Sequence, residues 1–111
     1  MLALSWQRGN NGDMRILEQE ELSPLLADHP QWSGGAEHLT RVFTAADFPT
    51  AITVVDKVAV IAEEMNHHPD IDIRWRTLRF RLSTHSAGGV TELDLRLARR
   101  IEHVLAAAQE A

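Results

Sequence analysis

The longest regular pattern in the chain is a series of apolar residues, three or four positions apart, that follows Asp47. This spacing places the apolar side chains on one face of a helix, and Asp47 and Pro49 are typical of an N-cap and a first turn. The pattern predicts an amphipathic helix of about five turns that ends at His67. Its predicted buried face consists of Phe48, Ile52, Val55, Ala59, Ala62 and Met65.

Two further helices are predicted near the ends of the chain. The sequence ILEQEELSPLLADHP has leucines at helical spacing and closes at Pro30. Pro24 within it implies either that Ser23 caps a helix starting there or that the helix is kinked. Near the C terminus, Thr91 and Asp94 form a capping box. The apolar face that follows consists of Leu97, Ala98, Ile101, Val104 and Leu105.

The strand signals form two hairpins. One joins a short strand at Trp32, through Gly34-Gly35, to a strand at 37–44. The other contains strands at 71–75 and 78–82, where apolar residues alternate with charged ones. Hairpins imply antiparallel pairing, so the order α-β-β-α-β-β-α predicts a two-layer α+β fold. In this fold the helices cover one face of a four-stranded antiparallel sheet.

The composition restricts the class of protein. A chain of 111 residues forms one domain, of which residues 1–13 are predicted to be a flexible tail because they lack apolar periodicity. A net charge of −5 argues against nucleic-acid binding, and the absence of cysteine excludes thiol chemistry. Without a membrane span or secretion signal, the expected location is the cytoplasm. A domain this small is also expected to form an oligomer.

The candidate chemistry lies in the sequence NHHPDID at 66–72. Pro69 disfavours a helical conformation at His68, so the side chains of His67 and His68 should diverge. Glu63, four residues before His67, is expected to contact it on the same helix face. His85, at the end of the last strand, can reach the same rim of the sheet. Imidazole both donates and accepts protons near neutral pH, so this cluster suits general acid–base catalysis.

Two other interpretations of the histidines remain open at this point. A histidine in the last turn of a helix is stabilised by the helix dipole and needs no further role. Glu63, His67 and His85 also match the ligand types of a metal site, although the HExxH motif is absent. Because that motif is absent and Pro69 separates the directions of the adjacent histidines, we predict a metal-independent site.

The segments AEEMNHHPDIDIRW at 62–75 and LRFRLSTHSAGGVTELDLRLARRIE at 78–102 together resemble the pterin-4a-carbinolamine dehydratase family. The motif that carries the resemblance is HHP followed by TH-x-x-G-G-x-T-x-x-D. The similarity extends from about Leu17 to Leu105, and the corresponding domain is expected at 14–111. The resemblance implies dehydration of 4a-hydroxytetrahydropterin to quinonoid dihydropterin, a step in the recycling of the pterin used by aromatic amino-acid hydroxylases.

The resemblance also implies roles for particular residues. The catalytic set is His67, His68, His85 and Glu63, with Glu63 orienting His67. The sequence does not show which histidine is the acid and which is the base. The expected substrate-binding residues are Asp94, Pro69, Ser83, Thr84 and Trp32. No metal or organic cofactor is implied.

The family resemblance implies partners as well. The expected partners are a pterin substrate, a functional link to an aromatic amino-acid hydroxylase, and further copies of the chain in a homodimer or homotetramer. The alternative function is a non-catalytic binding or assembly role, as a dimerisation cofactor or a chaperone-like protein. The complete histidine set favours the enzyme, because a binding module does not need it.

Overall fold

The computed structural model describes residues 15–108 and residue 110, so the predicted tail at 1–13 lies outside the described residues. The elements follow the predicted order α-β-β-α-β-β-α. They are α1 (Gln19–Asp28), β1 (Trp32–Gly34), β2 (Leu39–Thr44), α2 (Phe48–Met65), β3 (Asp70–Arg74), β4 (Thr77–Leu82) and α3 (Glu92–Ala107). Within the described residues, no helix is long and apolar enough to cross a membrane.

The four strands form one antiparallel sheet in the order β1-β2-β4-β3. Alternate residues of β4 are buried against the helices, while Arg79 and Arg81 between them are exposed. The predicted α+β class, with a four-stranded antiparallel sheet, is therefore confirmed. The core between sheet and helices contains Leu39, Phe43, Leu78, Phe80, Leu82, Val54, Val58, Leu97 and Ile101.

Helix α2 differs from the prediction in the residue at which it ends and in the face that is buried. The helix begins as predicted, with the Asp47 side chain accepting a hydrogen bond from the Thr50 amide at 2.8 Å, but it ends at Met65 instead of His67. The buried face consists of Ala51, Val54, Val58 and Ala62. Phe48 is 47% exposed, although it belongs to the predicted face. Apolar residues lie on more than one side of this helix, so periodicity alone does not select the side that packs.

Two other details correct the sequence interpretation. Helix α1 does not start at Ser23; it begins after Glu18, which forms a capping box with Glu21, and it continues through Pro24. The second hairpin turns at Trp75, which has a left-handed backbone (φ 56°) and a 71% exposed side chain. Trp75 therefore lies in the turn and not in the preceding strand.

Gly34 is the glycine that the first hairpin requires. Its φ is +126°, and a Cβ atom there would lie 2.2 Å from the carbonyl oxygen of His38. Gly34→Ala is therefore expected to lower the free energy of unfolding by about 1–3 kcal/mol, measured by urea denaturation. Gly35→Ala is the matched control, because its Cβ would meet only the flexible Gln19 side chain, at 3.4 Å. Equal losses in the two variants would contradict this explanation.

Candidate active site

The end of α2 determines the directions of the two adjacent histidines. Asn66 adopts a left-handed conformation (φ 50°), and the amide of His67 donates back to the Ala62 carbonyl at 3.0 Å. Pro69 then directs the chain into β3. His67 becomes buried at 9% exposure, whereas His68 remains exposed. The two side chains contact different carboxylates, as expected for diverging residues.

His67 forms a buried pair with Asp94. Its Nε2 lies 2.6 Å from Oδ1 of Asp94, a carboxylate with no solvent exposure. The other oxygen, Oδ2, accepts hydrogen bonds from the Thr84 hydroxyl at 2.8 Å and from the Thr91 amide at 2.9 Å. Asp94 lies in the first turn of α3, where the helix dipole favours a negative charge. The capping aspartate is thus also the residue that orients His67.

Glu63 contacts His68 and not His67, so the expected Glu63–His67 contact is wrong. Oε1 of Glu63 lies 2.6 Å from Nε2 of His68. The expectation assumed a helix continuing through His67, but the left-handed Asn66 ends the helix first and changes the direction of the chain. The Glu63–His68 pair lies at the surface, with side chains 79% and 55% exposed respectively.

The histidines line one cavity of about 510 Å³. Its lining contains the predicted His67, His68, His85, Pro69, Ser83 and Thr84, together with Asn66, Asp70, Ser86 and Leu93, which were not predicted. The four additional residues are sequence neighbours of predicted site residues, and that proximity is the signal that could have found them. Asp94 and Glu63 contact lining histidines without being lining residues themselves.

Trp32, another predicted substrate-binding residue, lies away from this cavity. The side chain is buried in the core, and its Nε1 donates to Glu102 of α3 at 2.7 Å. Trp32 is not a lining residue of the cavity that contains the histidines. The tryptophan is therefore a core residue in this fold.

His85 lies on the loop between β4 and α3. The loop closes through the Thr84 amide, which donates to the Gly89 carbonyl at 2.9 Å. Gly89 allows the loop to pack closely, because a Cβ atom there would lie 2.6 Å from the Ala36 carbonyl oxygen. The His85 side chain is exposed at the cavity and, in the part of the chain that the structure describes, forms no side-chain hydrogen bond.

The described residues contain no group of three or more histidine, aspartate or glutamate side chains arranged to hold a metal ion. Glu63 and His67, two of the candidate metal ligands, do not contact each other. Glu63 contacts His68, and His67 contacts Asp94. This arrangement suits proton transfer, because His67 and His68 each lie within hydrogen-bond distance of a different carboxylate.

Comparisons with known proteins place the chain in a family. Residues 15–104 match the family model described as pterin 4 alpha carbinolamine dehydratase. The chain belongs to the pterin-4a-carbinolamine dehydratase family. A relative from Nocardia farcinica, provisionally named as such a dehydratase, is 49% identical over 89 residues, which are 80% of this chain and 94% of the relative. A similarly named protein from Chloroflexus aurantiacus is 45% identical over 92 residues, covering 83% of this chain and 99% of the relative.

Two solved structures extend the comparison of folds. A transcriptional coactivator/pterin dehydratase from Brucella melitensis matches with a TM-score of 0.77 and 32% identity, over 82% of this chain and 99% of the other. A pterin dehydratase-like protein described as a RuBisCO assembly factor in the alpha-carboxysome matches with a TM-score of 0.57. That second protein is 19% identical, over 69% of this chain and 89% of the other, so it supports the fold alone.

Proposed function

We propose that the protein dehydrates 4a-hydroxytetrahydropterin to quinonoid dihydropterin by histidine general acid–base catalysis. The observation that carries the proposal is one cavity lined by His67, His68 and His85, in which two of the imidazoles contact carboxylates. Membership of the dehydratase family supports the substrate class.

The reaction needs two proton transfers and no change of oxidation state. One imidazolium donates a proton to the C4a hydroxyl, so that the C–O bond breaks and water leaves. One neutral imidazole removes the proton from N5, and the N–H electron pair forms the C=N bond. The histidines then exchange protons with solvent to return to their starting states. Ser83 and Pro69, which line the same cavity, are proposed to contact the substrate.

Direct measurement of 4a-carbinolamine dehydration by the purified protein tests this function. Acceleration above the spontaneous rate is expected, and it should persist after treatment with a chelator because imidazoles perform both transfers. A rate equal to the spontaneous one would overturn the proposal. Activity that disappears with the metal and returns on its replacement would overturn the metal-independent mechanism.

Glu63→Gln is expected to reduce turnover by less than about tenfold. Glu63 and His68 form an exposed pair, and exposed ion pairs contribute about 0–1 kcal/mol. The measurement is kcat beside that of Glu64→Gln, the neighbouring exposed glutamate, which pairs with Arg100. A loss of a thousandfold in Glu63→Gln alone would place Glu63 in the chemical step.

The wider biological role is part of the same proposal. We infer that the dehydratase serves pterin recycling alongside an aromatic amino-acid hydroxylase and acts as a homodimer or homotetramer in the cytoplasm. Among the described residues, the outer edge of β3 pairs with no other strand, and such an edge is a ready site for self-association. A sedimentation experiment that finds only monomer at micromolar concentration would contradict the oligomer.

A further inference from the structure

A chain of buried hydroxyl groups leads from the start of α3 to Asp94. The Leu93 amide donates to the Thr91 hydroxyl oxygen at 3.3 Å, and the hydroxyls of Thr91 and Thr84 lie 2.8 Å apart. The Thr84 hydroxyl in turn donates to Oδ2 of Asp94 at 2.8 Å. Thr84, Thr91 and Asp94 are 3%, 0% and 0% exposed, so water does not compete for these contacts.

The two ends of this chain determine the direction of every hydrogen bond in it. A backbone amide can only donate and a carboxylate can only accept, whereas each hydroxyl has a single proton. Thr84 uses its proton on Asp94, so the proton between the two hydroxyls must come from Thr91. The Thr84 hydroxyl therefore has no proton left to donate to a substrate.

The contact between Asp94 and His67 has a fixed direction as well. Oδ2 of Asp94 already accepts from Thr84 and from the Thr91 amide, and these two donors hold the carboxylate in one orientation. Oδ1 then faces Nε2 of His67 at 2.6 Å. Because the carboxylate only accepts, the proton in this contact belongs to Nε2. Nδ1 is the ring nitrogen left with a lone pair when His67 is neutral.

We propose that Thr84 is a positioning residue for His67, and that the Thr91–Thr84–Asp94 chain maintains His67 as the Nε2–H tautomer. His67 then exchanges protons with the substrate through Nδ1, and in its neutral form it accepts the N5 proton. This step rests on the proposed function. It also changes the role expected for Thr84, from binding the substrate to orienting Asp94.

The tautomer can be measured without substrate. Long-range ¹H–¹⁵N spectra of the histidine rings, assigned with His67→Gln, are expected to show His67 as Nε2–H with a proton resonance shifted strongly downfield by the short hydrogen bond. In Thr84→Val this resonance should move upfield and exchange faster with solvent. Thr84→Ser keeps the hydroxyl and should retain the wild-type signal. An Nδ1–H tautomer in the wild type would overturn the proposal whether or not the protein is a dehydratase.

Measurements of kcat and KM for Thr84 variants distinguish a positioning role from substrate binding. Thr84→Val is expected to lower kcat by about 10- to 150-fold, the range for one hydrogen bond to a charged group, with KM unchanged. Thr84→Ser should restore kcat. A higher KM with unchanged kcat would show that Thr84 binds substrate and would overturn the positioning role. If Thr84→Val does not fold, the wild-type tautomer still decides the proposal, because an Nδ1–H ring at His67 would overturn it. An inactive wild-type protein with the Nε2–H tautomer would overturn only the dehydratase function.

Discussion

Replacing His67 with alanine is expected to lower the turnover of 4a-hydroxytetrahydropterin by about 10²–10⁴-fold, the contribution of a positioned general acid or base. His67 is the histidine most firmly oriented, because its partner Asp94 is fully buried and held by two further donors. His68→Ala should lose less in turnover, since its partner Glu63 is mostly exposed. The measurement is kcat and KM for both variants, with circular dichroism to confirm that each is folded.

His103→Ala is the matched control for these substitutions. His103 is an exposed histidine of α3 that does not line the cavity, so its removal should leave kcat unchanged. His85→Ala should also lower turnover, and the His67/His85 double variant should lose less than the product of the single losses if the residues act together. Full activity in the alanine variants of His67, His68 and His85 would refute histidine catalysis.

The dependence of turnover on pH follows from the same division of roles. One histidine must be protonated to donate to the hydroxyl, and another must be neutral to accept from N5. The rate should therefore fall on the acid side as the base becomes protonated, and on the alkaline side as the acid loses its proton, giving a bell-shaped profile. A profile with one limb would leave only one titrating group in the mechanism.

Removing Glu102 is expected to destabilise the fold by about 3–5 kcal/mol, the cost of leaving a buried charge without its partner. Glu102 accepts from Arg41 Nε at 2.6 Å and from Trp32 Nε1 at 2.7 Å. The side chains of Arg41 and Glu102 are only 5% and 15% exposed. In Glu102→Ala the buried guanidinium retains its hydrogen bond to the Val42 carbonyl but loses its counterion.

The free energy of unfolding in urea measures this loss. Arg100→Ala is the control, because Arg100 pairs with Glu64 at 2.8 Å on the surface, with side chains 44% and 58% exposed. Its expected cost is about 0–1 kcal/mol. Comparable losses in Glu102→Ala and Arg100→Ala would show that burial does not strengthen the Arg41–Glu102 pair.

Much of the site was predictable because it depends on patterns within short segments of the sequence. Period-two segments and hairpin turns predict the antiparallel sheet, and the capping box identifies the start of α3. The same local signals place His67 and His68 at a helix end and His85 at a strand end. Both ends lie at one rim of the fold, where the three histidines line one cavity as predicted.

The sequence by itself determined the order of elements, the sheet type, the family motif and the histidine set, since these depend on spacing within single segments. The tertiary structure decided the partners. Asp94 and not Glu63 orients His67, because the left-handed Asn66 redirects the chain over the N terminus of α3. Packing against the sheet likewise determines which face of α2 is buried. Trp32 lies in the core, where it donates a hydrogen bond to Glu102. Such contacts join residues far apart in the chain, and local periodicity carries no information about which of several polar or apolar groups will meet.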